Sequence, residues 1–323
     1  MNILEVKNLN MSYETLEGSV AAVKDVSFSL KEGESFGIVG ESGCGKTSVA
    51  MSLLQLQADN GKIISGDIIF DGKDIVKLNE NELRDVRWSG ISIVFQGAMN
   101  SWNPVVKIGE QIREAIREHY PDKTKDENTN KINELFNIVG LESSIADRYP
   151  HELSGGMKQR AVIALALSCD PKLIIADEPT TALDVVIQDQ ILNEIRNVQN
   201  LLGLSLIYIS HDIAVIAEMT DNMAVMYAGR IVEKGPTKEI FSNPKHSYTQ
   251  SLLASTPSVV GDKIKLKSLD GEPPSLISEE IGCSFASRCP NRDISCNPSL
   301  DMELVEVSKD HFVDICNAES DTK

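Results

Sequence analysis

The chain has 323 residues, of which 41% are hydrophobic and 24% are charged, an ordinary composition for a globular protein with a buried core. Its net charge of −17 disfavours binding to nucleic acid or to anionic lipid, so we expect no nucleic-acid partner. No apolar run approaches the ~20 residues of a membrane span, and the N-terminus lacks the pattern of a secretory signal, so we expect the protein in the cytosol.

Short apolar segments separated by turn residues predict strands in the first hundred residues. One of them runs directly into a glycine-rich loop, and the residues Thr47–Leu56 after that loop have helical character. The predicted strands of this part are Leu4–Val6, Val26–Leu30, Ser35–Val39, Ile63–Phe70 and Ile91–Phe95.

From about residue 97 to residue 149 the apolar residues change to helical spacing, which predicts a mostly helical insert containing Ile108–His119 and Lys131–Val139. Strands and helices then alternate, which is typical of a parallel α/β sheet. These predicted elements are the helix Met157–Ser168, the strand Leu173–Ala176, the helix Val186–Leu202, the strand Leu204–Ile209, and the hairpin of Met223–Tyr227 with Ile231–Lys234. After about Gly235 the composition shifts toward Pro, Ser, Asn and Cys, so we expect a domain boundary there.

The glycine-rich loop fits the phosphate-loop pattern G-x-x-x-x-G-K-[ST]. Glycines allow backbone N–H groups to surround phosphate oxygens, a lysine reaches the β- and γ-phosphates, and a hydroxyl ligates Mg²⁺. Cys44 replaces the small hydroxyl residue common in such loops, either as a tolerated small side chain or as a thiol sensitive to reagents. The residues expected to bind the phosphates are Gly40, Ser42, Gly43, Cys44, Gly45, Lys46, Thr47 and Ser48.

A second half of a nucleotide site is predicted where the apolar strand at Leu173 ends in two carboxylates. We expect Asp177 to hold the magnesium shell and Glu178 to polarise the attacking water as a base.

The segment Leu153-Ser154-Gly155-Gly156-Met157-Lys158-Gln159-Arg160 resembles the signature of the ATP-binding cassette (ABC) family, with Met157 in place of the usual glutamine. In that family the serine and glycines clamp the γ-phosphate of ATP bound to the opposing subunit, which implies this role for Ser154, Gly155 and Gly156. The exposed N–H groups at a helix start give this role a physical basis.

The resemblance runs from about residue 1 to residue 255 and implies roles for four further positions. Gln96 matches the glutamine that senses Mg²⁺ and couples to membrane subunits, and Asp184 ends the Thr181-Ala182-Leu183-Asp184 segment that crosses the dimer interface. His211 matches the switch histidine that contacts the γ-phosphate, and Tyr13 matches the aromatic residue that stacks on adenine. We therefore expect Lys46, Gln96, Glu178 and His211 to be catalytic, and Thr47, Gln96 and Asp177 to hold Mg²⁺.

The implied fold is an α/β P-loop NTPase (RecA-like) core with an antiparallel β subdomain and a helical subdomain, followed by a C-terminal Cys-rich extension. The nucleotide-binding domain is expected at residues 1–235, with the helical subdomain at about 97–160, and the extension at residues 236–323.

Four of the six cysteines lie in the last 41 residues, and four thiolates suit zinc or an iron–sulfur cluster. Their surroundings, together with the Asn243–Thr249 segment, resemble the C-terminal extension of oligopeptide/dipeptide-type importer ATPases. In that subfamily the four cysteines can hold a [4Fe–4S] cluster, which we expect here, with zinc or free thiols as alternatives. The expected ligands are Cys283, Cys289, Cys296 and Cys316.

The same resemblance implies a second, non-identical ABC ATPase, two transmembrane permease subunits and, indirectly, an external solute-binding protein as partners. It places the chain peripherally on the cytoplasmic side of the membrane. Di- or oligopeptide is the expected cargo, with nickel or oligosaccharides as alternatives. An ABC ATPase acting on DNA or ribosomes is the alternative class, although this chain has one cassette and no coiled-coil heptads between the phosphate loop and the signature.

Overall fold

The computed structural model describes residues 1–181, 183–255, 269, 271–277, 282–292 and 302–314. The chain packs as two compact units. The first unit contains Met1, Lys31–Glu34 and Lys77–Tyr208, and the second contains Asn2–Leu30, Ser35–Val76 and Ile209–Lys323 as far as these are described. The domain boundary expected after residue 235 stays a prediction.

The bounds of the regular elements follow, in chain order. The strands are β1 (Asn2–Thr15), β2 (Gly18–Lys31), β3 (Ser35–Val39), β4 (Gly61–Phe70), β5 (Lys73–Asp74), β6 (Ile91–Val94), β7 (Leu173–Asp177), β8 (Ser205–Ser210), β9 (Asn222–Tyr227), β10 (Arg230–Pro236), β11 (Leu304–Ser308) and β12 (His311–Asp314). The α-helices are α1 (Lys46–Leu54), α2 (Glu80–Val86), α3 (Ile108–His119), α4 (Lys125–Ile138), α5 (Gly155–Ala166), α6 (Val185–Leu202), α7 (Ile213–Met219), α8 (Thr237–Ser242) and α9 (Ser247–Ala254).

The second unit contains an antiparallel sheet of order β2-β1-β4-β5. β1 pairs with β4 from Leu4 opposite Phe70 to Tyr13 opposite Gly61. From Leu4 to Met11 the buried residues of β1 are separated by more exposed ones, as expected for a sheet with one face on a core. This sheet confirms the antiparallel strands predicted near the N-terminus.

The same unit contains strands in the order β11-β12-β10-β9-β3. β3 is parallel to β9, with Phe36 opposite Asn222, and all five of its residues are buried. A continuous apolar sequence is typical of a strand that is buried on both faces of the sheet. Ile216 of α7 packs closely against β3 at Gly37. A Cβ at Gly37 would lie 2.4 Å from Cγ2 of Ile216, so this position has room only for glycine.

In the first unit, β7 lies between β8 and β6, and β8 continues past Tyr208 into the second unit. β6 and β7 are parallel, with Ile91 opposite Leu173, and every residue of β7 is buried. α3 buries Ile108, Ile112 and Ile116 completely, which is the four-residue spacing of one helix face. The parallel α/β pattern predicted for this region is confirmed.

Several elements differ from the prediction or were missed. α4 begins at Lys125 rather than at residue 131, because Thr124 and Glu127 form a capping box that satisfies the first N–H groups of the helix. α2, α7, α8, α9, β5, β11 and β12 were not predicted; α2 begins with a similar capping box at Asn79 and Glu82. Among the described helices, none combines the length and the hydropathy needed to cross a bilayer.

Candidate nucleotide site

The predicted phosphate loop lies in the second unit, between β3 and α1, in the order that the motif requires. Gly45 has a φ of +105°, and a Cβ there would lie 2.2 Å from the backbone oxygen of Ala22. Gly43 has a φ of +80°. Both positions have a positive φ that favours glycine, and at Gly45 a side chain would also clash with the neighbouring backbone. Loop N–H groups and the start of α1 together form an arrangement suited to phosphate.

Lys46 is buried within this loop. Its ammonium donates to the backbone oxygens of Gly40 and Glu41 over 2.7 and 2.9 Å. Ser42 and Thr47 are exposed on the same loop and helix start, and Ser48 is half-buried. The positive charge is thus held by the loop itself, while hydroxyl groups remain accessible beside it.

Cys44 is buried, and its sulfur lies 3.7 Å from the Lys46 ammonium. Burial raises the pKa of the Cys44 thiol, and the Lys46 charge acts in the opposite direction. A buried neutral thiol is a poor nucleophile. The structure therefore favours the interpretation of Cys44 as a tolerated small side chain.

Two more predicted residues belong to the second unit. Tyr13, at the end of β1, lies with its hydroxyl 3.3 Å from the Ser48 hydroxyl, which places its ring beside the start of α1. His211 is exposed directly after β8, and the next residue, Asp212, caps α7 by accepting from the Ala214 N–H over 2.8 Å. Adenine stacking by Tyr13 and γ-phosphate contact by His211 stay predictions.

The two carboxylates after the predicted strand lie in the first unit. Asp177 ends β7 and is almost fully buried, whereas Glu178 is partly exposed with a φ of +48°. Oε2 of Glu178 accepts from the Gln96 amide over 2.7 Å and from the Thr181 hydroxyl over 2.9 Å. The structure thus brings Gln96 and Glu178 together, as a shared catalytic role requires. The bond from Thr181 was not predicted, although the sequence places this hydroxyl only three residues from Glu178.

The signature segment begins α5 in the same unit. Ser154 is the N-cap and accepts from the Met157 N–H over 3.3 Å, and both Ser154 and Gly155 are exposed. A Cβ on Gly156 would lie 3.1 Å from Cγ2 of Ile187, so glycine allows the start of α6 to approach. The result is an exposed helix N-terminus that presents a hydroxyl and small residues, which suits an anion.

Asp184 caps α6 by accepting from the Ile187 N–H over 3.0 Å. The two residues after it, Val185 and Val186, are 81% and 66% exposed. An apolar pair at a helix start is consistent with the interface role that the resemblance implies for this segment.

Comparison with known proteins agrees with this geometry. Residues 23–181 match the family model described as ABC transporter, and residues 232–296 match the oligopeptide/dipeptide transporter C-terminal region. The chain is 44% identical to the dipeptide transport ATP-binding protein DppD of Bacillus subtilis over 298 residues, which cover 91% of this chain and 89% of that protein. It is 42% identical to the oligopeptide transport ATP-binding protein OppD of the same species, over 96% of this chain and 87% of that one.

The chain belongs to the ABC transporter ATPase family. Among solved structures, this ABC ATPase is similar to the ATP-binding cassette MJ0796, a dimer in a post-hydrolysis state bound to ADP and Pi, with a TM-score of 0.65 and 27% identity. That match covers 72% of this chain and 98% of MJ0796. It is also similar to cbiO1 of Clostridium perfringens, part of the ABC transporter complex cbiONQ, with a TM-score of 0.65 and 30% identity over 75% and 91% of the two chains.

These comparisons confirm the predicted P-loop ABC fold and the activity: the chain binds and hydrolyses ATP. A transport ATPase of this family acts with membrane permease subunits.

The predicted [4Fe–4S] cluster is wrong on the present finding. Within the part of the chain that the structure describes, no three His, Cys, Asp or Glu side chains are grouped to hold a metal ion. Cys283 and Cys289 are half-buried there and form no disulfide bond, and Cys296 and Cys316 lie outside the described residues. The grouping of four cysteines near the C-terminus and the subfamily resemblance suggested a shared site, but proximity in sequence does not fix where loop residues meet in space. The described residues therefore support no Cys-rich metal centre.

Proposed function

We propose that this ABC ATPase powers the import of di- or oligopeptides. The observation that carries the proposal is the match of residues 232–296 to the oligopeptide/dipeptide transporter C-terminal region on the same chain as the ABC match. The names of the dipeptide and oligopeptide relatives support it. Nickel or oligosaccharide import, and action on DNA or ribosomes, are not favoured by these comparisons.

ATP would bind with its phosphates on the loop that starts at Gly40. The buried Lys46 ammonium supplies fixed positive charge, and the N–H groups of the loop and of the first turn of α1 supply donors. Tyr13 would contact the adenine, because its ring lies beside the same helix start.

The residues proposed to hold Mg²⁺ all carry oxygen donors. Thr47 offers an exposed hydroxyl, Asp177 offers a carboxylate at the end of a fully buried strand, and Gln96 offers an amide oxygen. Mg²⁺ prefers such hard oxygen ligands. When bound, the ion neutralises charge on the β- and γ-phosphates.

Glu178 would act as the base that orients and polarises the attacking water. Two donors, from Gln96 and Thr181, fix the orientation of its carboxylate through one oxygen. His211 would donate to the γ-phosphate from its exposed position after β8.

A complete site would need a second ABC ATPase in a head-to-tail pair. The helix start at Ser154, Gly155 and Gly156 is proposed to bind an anion, namely the γ-phosphate of the ATP held by the partner subunit. Asp184 and the exposed valines after it would lie at this interface. The partner would be non-identical, and the pair would sit peripherally on the cytoplasmic side of the membrane against two permease subunits, fed by an external solute-binding protein.

Peptide uptake by cells tests this function. We expect deletion of the chain to abolish uptake of a labelled peptide, and wild-type chain to restore it. A Glu178→Gln variant produced at the same level should not restore uptake. Nickel and oligosaccharide uptake measured in the same cells are the comparisons. Unchanged peptide uptake after deletion, with loss of nickel or oligosaccharide uptake, would contradict the peptide assignment.

A further inference from the structure

The second residue of the phosphate loop carries a negative charge, which is unexpected in an anion site. Glu41 follows Gly40 directly, and its backbone oxygen accepts from the Lys46 ammonium. An uncompensated carboxylate at this place would repel the phosphates of a bound nucleotide. The charge therefore requires compensation nearby.

Arg288, which lies much later in the chain, forms an ion pair with Glu41 and neutralises its charge. Its Nη1 donates to Oε2 of Glu41 over 2.7 Å, and its Nη2 donates to Oε1 over 3.0 Å. The side chains are 4% and 27% exposed, so the pair is shielded from water more than a surface ion pair is. The pairing with Glu41 raises the pKa of Arg288. A bidentate bond between guanidinium and carboxylate fixes geometry as well as charge.

Aromatic packing holds Arg288 in place. Nη1 of Arg288 also donates to the Tyr227 hydroxyl over 3.2 Å. Phe285, three residues earlier, is almost fully buried against the rings of Tyr227 and Tyr248, with centroids 5.3 and 5.4 Å away. The described segment 282–292 is therefore anchored beside the loop.

The backbone of Glu41 is held from the same cluster, because its N–H donates to the Tyr248 hydroxyl over 3.0 Å. Tyr248 lies on α9 and is fully buried. The start of the phosphate loop is thus fixed at backbone and side chain by residues located more than 200 positions later in the chain.

We propose that Arg288 is a positioning residue for ATP binding, which neutralises Glu41 and holds the start of the phosphate loop for the triphosphate. ATP affinity then depends on segment 282–292, although none of its residues belongs to a nucleotide motif. The proposal rests on ATP binding alone and is independent of the transported solute.

Equilibrium binding of a fluorescent ATP analogue to the full-length chain tests this role. We expect Arg288→Gln to raise the Kd by roughly tenfold, since one unpaired negative charge then lies beside the phosphates. The difference from wild type should shrink as salt screens that charge. Arg288→Lys keeps the charge but loses the two-pronged bond, so its Kd should lie between the two.

Charge-matched variants separate repulsion from a general loss of structure. Glu41→Gln alone should tighten binding, because it leaves a positive charge beside the loop. Glu41→Gln with Arg288→Gln should recover part of the affinity that Arg288→Gln loses, because it removes the repelling charge but does not restore the bidentate bond. Arg292→Gln is the matched control, since it removes one charge from an exposed position of the same segment and should leave the Kd unchanged.

Wild-type affinity in a folded Arg288→Gln variant would overturn the proposal. So would a folded double variant as weak as Arg288→Gln, because repulsion by Glu41 would then not be the cause. Thermal unfolding without nucleotide establishes that each variant is folded. If Arg288→Gln does not fold, Glu41→Gln decides, since the proposal requires this variant to bind ATP more tightly than wild type and an unchanged Kd would contradict it.

Discussion

The side chain of Glu178 is oriented by two donors, and only one of them, Gln96, belongs to the predicted catalytic set. The Thr181 hydroxyl donates to the same carboxylate oxygen over 2.9 Å. A catalytic carboxylate must be held in a productive geometry, and loss of one orienting bond raises the barrier without removing the base.

We therefore expect Thr181→Val to lower kcat for ATP hydrolysis by roughly tenfold while the Kd for ATP stays close to wild type. Phosphate release by the assembled transporter measures the first quantity, and nucleotide binding to the chain measures the second. Thr181→Ser retains the hydroxyl and should retain activity. Equal activity of the valine and serine variants would show that this bond does not orient the base.

The sequence predicts a site residue well where the whole motif lies in one short segment of the chain. Lys46 follows the buried strand β3 after the glycine-rich loop, and Asp177 is the last residue of the buried strand β7, so chain order alone fixes their place. Arg288 could not be predicted, because its partner Glu41 is 247 positions away and the contact depends on how the later segment folds. In this segment the cysteines, rather than Arg288, were predicted to be functional.

At the scale of elements, α9 depends on an uncharged histidine. His246 is buried, and its Nδ1 accepts from the Tyr248 N–H over 3.1 Å at the start of the helix. Burial lowers the pKa of His246 to about 4. A protonated imidazole could not accept this bond. The backbone N–H of His246 donates to the Glu233 carboxylate, which ties the same helix start to β10.

The sign of the pH dependence follows from this lowered pKa. The stability contributed by neutral His246 is fully present above the pKa of the unfolded chain, about 6.5, and is lost as pH falls toward about 4. Between these two values the unfolded chain takes up a proton on His246 and the folded chain does not. At about pH 5 we expect a loss of about 2 kcal/mol relative to neutral pH.

Comparison with His246→Asn isolates this contribution from other acid-sensitive groups. Asparagine is a good N-cap that does not titrate in this range. Urea unfolding near pH 7.5 and near pH 5 should show a smaller acid-induced loss for the variant than for the wild type. Identical losses in both proteins would argue against a buried neutral histidine at this position.

A continuous apolar run and a helical period each predicted an element with correct bounds, as β3 and α3 show. The start of α4 was missed because its first turn is polar, although Thr124 and Glu127 carry the capping-box signal. The short elements α8, α9, β11 and β12 contain too few residues for a period to emerge. They form through tertiary contacts such as the buried hydrogen bond between Glu233 and His311, which sequence patterns do not reveal.

At the scale of the whole molecule, the predicted nucleotide residues are divided between the two packing units. The phosphate loop and His211 belong to the second unit, and Glu178 and the signature belong to the first. The chain therefore carries both the loop that binds one ATP and the helix start proposed to contact another. On the proposed head-to-tail pairing, such a chain would complete its site only together with a second ATPase.

Glu178→Gln tests the consequence of this pairing. The glutamine retains the size of the base but cannot accept a proton, so we expect ATP to bind and persist unhydrolysed between this chain and its partner ATPase. Size-exclusion chromatography with MgATP should show a stable pair for the variant and a transient one for the wild type. Glu114→Gln makes the same chemical change at an exposed position of α3 and should behave as wild type. Normal turnover by Glu178→Gln would contradict the assignment of the base, since closure and hydrolysis would then depend on another group.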